Sequence, residues 1–170
     1  MGLFDKLTGT RHPADDVAPV PAEEVRAALL GLNRDDAAWV VHNGAAVGAD
    51  LVAELRVAEP VWQTFFLKSQ LTRAVRIRMR LDLEGHEVRA LEEQREVSWV
   101  GNPPRIKLST TYTRGPDRTV TRDYSLQRGE NGRLQATESF RYDGSELRRT
   151  LRSAVLESGW TWRGVVFGKL

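Results

Sequence analysis

From Ala74 to Leu83 the chain alternates. Val75, Ile77, Met79, Leu81 and Leu83 are apolar, with Ala74, Arg76, Arg78, Arg80 and Asp82 between them. Successive side chains of a strand point to opposite faces, so this segment predicts a β-strand with one buried face and three arginines on the other. Glu84-Gly85 suits a tight turn, after which Leu81 would pair with Val88, Met79 with Ala90, and Arg76 would lie across from Glu93. The return segment is ambiguous, because Ala90-Leu91-Glu92-Glu93-Gln94-Arg95 favours helix while Val97-Ser98-Trp99-Val100 favours strand. The preceding hairpin decides for strand.

The same two-residue period recurs elsewhere. Trp39-Val40-Val41 and Leu51 to Val57 predict two short strands, with a turn near Asn43-Gly44. Residues 61–67, dense in Trp62, Phe65 and Phe66, fit either strand or buried turn. After the breaker Gly101-Asn102-Pro103-Pro104, strands are expected at Ile106–Tyr112, Val120–Leu126 and Leu134–Tyr142, with Gly129-Glu130-Asn131-Gly132 as a hairpin loop. Trp160 to Phe167 reads as a last strand whose Trp160 and Trp162 pack on the sheet or a helix.

Two helices interrupt this pattern. Pro21 opens one, with Glu23 and Glu24 in its first turn and Val25, Leu29 and Leu32 as its stripe. Ser145 and Gly159 bracket the other, which carries Leu147, Leu151, Ala154 and Val155 on one side and Arg148, Arg149 and Arg152 off it. The expected fold is therefore α+β: a mainly antiparallel, curved sheet of about six to eight strands, or a partial barrel, packed on a C-terminal helix with a short N-terminal helix. Residues 1–20 read as a flexible arm with a proline-containing linker, and 21–170 as a single domain.

Composition narrows the chemistry. The 170 residues include no cysteine, which removes disulfides and thiolate chemistry and fits a reducing compartment. Short apolar runs and the absence of a secretory-type leader point to the cytoplasm. Net charge is +2, with the acids concentrated before residue 60 and the bases after it. Arginine outnumbers lysine 21 to 4, a bias that GC-rich codons explain as well as phosphate binding does, so nucleic acid is not an expected partner.

No catalytic constellation emerges. His12, His42 and His86 lack metal-ligand spacing, and no nucleophile elbow, phosphate loop or dinucleotide fingerprint is present, so no catalytic residue, metal or cofactor is assigned. Three features remain as binding candidates. Leu3, Phe4 and Leu7 form an apolar tip that suits a partner groove or a peripheral membrane contact. Arg76, Arg78 and Arg80 form a row of cations about 7 Å apart that suits an anionic surface. Arg122 and Glu138 both occupy the apolar phase of their strands, where an inward pair would line a cavity. The expected function is that of a non-enzymatic binding or adaptor protein docking through its N-terminal peptide and sheet surface. The alternative is a small-ligand domain with a pocket between sheet and C-terminal helix, near Trp62, Phe65, Glu138, Trp160 and Trp162.

Overall fold

In the computed structural model the described residues are 2–111, 120–128, 134–166 and 170, the side chains of Phe4 and of 110–143 excepted. The alternating segment is strand β3 (Arg73–Asp82 in chain order after α1 Leu3–Thr8, α2 Ala22–Leu30, β1 Trp39–Asn43, β2 Leu51–Leu55 and α3 Pro60–Lys68). It pairs antiparallel with β4 (Glu87–Val100) in the register the turn requires: Leu81 opposite Val88, Met79 opposite Ala90, Arg76 opposite Glu93. Helix-prone residues 90–95 are strand because β4 is paired on both edges along most of its length, and those ladder bonds override a weak local preference.

The sheet is a curled meander, β1-β2-β3-β4-β5, with β5 spanning Arg105–Thr111. β4 is long enough to hold two partners along one edge. Its second half pairs with β5, and residues 87–91 pair in parallel with β8 (Thr161–Val165). β6 (Val120–Arg128) and β7 (Leu134–Asp143) form a separate two-stranded ribbon. The exposed edge of β1 is partly covered by Asn33, whose side chain accepts from Val41 N at 2.7 Å and donates to Val41 O at 2.8 Å, as a neighbouring strand would.

The inner face of the curl buries Val41, Leu51, Ile77, Met79 and Val88 against α2 and α4 (Gly144–Glu157). Val25 and Leu29 of α2 and Leu147, Leu151 and Val155 of α4 supply the matching stripes, at the predicted helical spacing.

Residues 61–67 are neither strand nor buried turn but belong to helix α3. Pro60 starts it, and Trp62, Phe65 and Phe66 then fall at i, i+3 and i+4 on one face. Phe66 closes a second apolar cluster with Leu55, Leu71, Ala74 and Val97, so α3 caps one end of the outer sheet face.

Residues 9–21, read from composition as a linker, run along the body of the protein. Thr10 is buried, and Arg11 exchanges both backbone bonds with Trp162, at 2.8 and 2.9 Å. Further on, Val20 N donates to Ser158 O, and the Trp160 indole donates to Val20 O at 2.8 Å. Gly159 has φ +74°, and a Cβ there would stand 2.4 Å from Ala18 O, so this turn admits glycine both for its backbone and for its space.

Candidate functional site

The inner face is not filled evenly. Where β8 joins β4, the small side chain of Ala90 leaves room between the sheet, the first half of α4 and the N-terminal arm, whose Thr8 carbonyl packs on Gly164. The result is a half-open cavity of about 280 Å³. Its floor is apolar: Ile77, Ala90 and Trp162, all buried. Its walls are cationic, with Arg148 and Arg152 from α4 on one side and Lys6 and Arg11 from the arm on the other.

Among the described residues one acid enters this ring. Glu92 lies on the inner phase of β4, opposite Ile77, and receives Arg148 in a two-pronged ion pair at 2.6 and 2.7 Å. Arg152, one helical turn beyond Arg148, is half-buried and has no hydrogen-bond or ion-pair partner among the described residues. Burial pulls its pKa below the usual arginine value, and the nearby charges of Arg11, Arg148 and Arg149 pull it the same way. Among the described residues the Arg11 guanidinium donates to the neighbouring Thr10 carbonyl, at 2.9 Å. Among the described residues four cations thus face a pocket that contains a single carboxylate, already engaged by Arg148.

Of the residues singled out from sequence, Trp162 lies in the cavity floor, whereas Arg76, Arg78, Arg80, Trp62 and Phe65 do not line the cavity. Leu3 and Leu7 share one side of α1 and are 76% and 62% exposed. The side chains of Phe4, Arg122 and Glu138 lie outside the described residues. In the backbone register Arg122 sits opposite Arg141, not Glu138, and the β6–β7 pairing slips by one residue at Glu138-Ser139.

The arginine row is engaged within the protein. Arg76 and Arg78 both bind Glu93, whose carboxylate is 1% exposed: Arg76 Nε and Nη2 approach at 2.7 and 2.6 Å, and Arg78 Nη2 at 2.9 Å. Arg78 also donates to Val47 O, and Arg80 donates to the Gly48 and Leu170 carbonyls. Beside them Glu54 joins His42 and Arg95. Trp62 and Phe65 line a shallow groove on α3 with Val61 and Lys68, in a different cluster from Trp162.

Sequence reasoning missed the cavity cations. Arg148 and Arg152 are spaced i, i+4 and each directly follows a core leucine, Leu147 or Leu151, which places both along the border of the buried stripe. That spacing was the available signal. Arg11 carried none, since its position depends on the pairing with Trp162.

Among the described residues no three His, Asp or Glu side chains converge as metal ligands. No helix among them is long and apolar enough to cross a membrane. No protein-family model matches the chain, and neither a curated protein nor a solved structure is significantly similar to it.

Proposed function

We propose that the protein is a binding domain for a small organic anion, held in the cavity between the sheet, α4 and the N-terminal arm. The observation that carries this is Arg152: a half-buried guanidinium, unpartnered among the described residues and crowded by three other arginines, which an anionic group would neutralise. The buried floor of Ile77, Ala90 and Trp162 favours a ligand with an apolar body over a bare inorganic ion. The volume suits a compact molecule, such as an aromatic or short-chain carboxylate.

Isothermal calorimetry and thermal denaturation with benzoate, hexanoate and inorganic phosphate test this reading. The organic carboxylates are expected to bind and to raise Tm, by the equivalent of about 2.7 kcal/mol at a hundredfold excess over Kd. Arg152→Gln is expected to abolish that gain. Unliganded, the variant should be as stable as the parent or slightly more so, because it removes a poorly solvated, repelled charge. No heat and no shift with any of the three anions would refute the proposal.

A further inference from the structure

We propose that α1 is a docking face for an anionic lipid bilayer. This goes beyond the cavity reading and rests on the exposed leucines of α1, which do not line the cavity, together with cations at the cavity's edge. Single exposed leucines are ordinary. Leu3 and Leu7 differ because they stand at i, i+4 on a helix fixed in place with both turned outward. The helix is closed by Gly9 in the left-handed region, with Thr10 N donating to Asp5 O at 2.9 Å. Immediately beyond, buried Thr10 and the Arg11–Trp162 pair tie it to β8, and the Thr8 carbonyl lies directly over Gly164. The leucines are thus displayed without an ordering cost at the moment of contact.

Charge selects the partner. Lys6 is exposed on the same helix and lines the cavity with Arg11 and Arg152, and Arg149 lies near Arg152. The acid of α1, Asp5, is turned back on Gly2 N at 3.0 Å and lies 3.7 Å from His12. Size then decides between a membrane and a protein. A stable protein interface needs about 800 Å² from each partner, more than a six-residue helix presents. Two leucines dipping into the headgroup region beside several cations suffice for reversible attachment to a charged bilayer.

Flotation of the full chain with phosphatidylcholine vesicles, with and without about 30% phosphatidylserine, tests the proposal. Binding is expected to the phosphatidylserine vesicles and to weaken as salt rises. Leu3→Ser with Leu7→Ser should reduce it about tenfold or more, and Lys6→Gln about fivefold. Both leucines are exposed, so the double variant should keep its Tm and its binding of small organic anions, which separates failure of this proposal from failure of the cavity reading. Equal flotation with neutral vesicles, no flotation, or undiminished flotation of the double variant overturns the proposal. So does self-association of the parent that the double variant loses in ultracentrifugation, which would assign the face to a second copy of the chain.

Discussion

Glu93→Gln removes the charge that holds the outer face together, and its cost can be worked from the geometry. The carboxylate is 1% exposed and lies within 2.9 Å of donors from two arginines, whose side chains are 16% and 19% exposed. At charge separations of about 4 Å and an effective dielectric of about 20, each pair gains about 4 kcal/mol. The two guanidiniums, on alternate residues of one strand, repel by about 2–3 kcal/mol. Desolvating three charges consumes most of the remainder, so the intact triad adds little net stability. Truncating the acid alone is a different matter, because the two cations stay buried and face each other. The expected loss is about 3–5 kcal/mol, or about 6–20 °C in Tm for a chain of this length. Replacing all three by Leu or Met should restore most of that loss. Thermal and urea unfolding of Glu93→Gln, Arg76→Met and the triple variant give the measurement. A Tm for Glu93→Gln within 2 °C of the parent (about 1 kcal/mol or less) would show that water reaches the cluster and that the arginine row is a surface feature after all.

Two further outcomes follow from the arm. A Cβ at residue 164 would stand 1.7 Å from Thr8 O, so Gly164→Ala should lift the arm off β8. The Arg11 amide should then exchange rapidly, residues 9–21 should become open to protease, and stability should fall by about 2–3 kcal/mol; an Arg11 amide as protected as the parent's would contradict this. Asp5 has a pKa below its ordinary 3.8, because the Gly2 amide donates to it and His12 lies nearby. A depressed carboxylate stabilises the folded form above its unfolded pKa, and that contribution disappears as pH falls through the lower folded value. The Asp5 carboxyl carbon, followed by NMR, should therefore titrate below pH 3.8, and a midpoint at or above that value would remove the cap from the account.

Much of the fold was legible because it depends on local period. The β3–β4 register, both amphipathic helices and the breaks between strands are written in spacings of two or of three to four residues. What period cannot convey is which distant segments meet. Trp62, Phe65 and Phe66 form a short apolar run that reads as strand or buried turn, and its helical form is fixed only where Leu71, Ala74 and Val97 come together beneath α3. Arg76 and Arg78 read as an outward row suited to an anionic surface, because the burial of Glu93 depends on how the outer face is covered. The cavity was least legible, since its cations come from α4 and from a proline-containing stretch whose composition says nothing of its docking on β8.

That docking has a consequence for how the protein comes into being. β8 lies between β4 and the arm, so residue 11 meets its mate only after residue 162 has been synthesised. The meander can assemble progressively as it emerges from the ribosome, whereas the pocket cannot, because one of its walls waits for β8. A nascent chain halted before Thr161 would hold a formed hairpin without this pocket, and a ligand of the proposed kind could favour the native state only once β8 has docked.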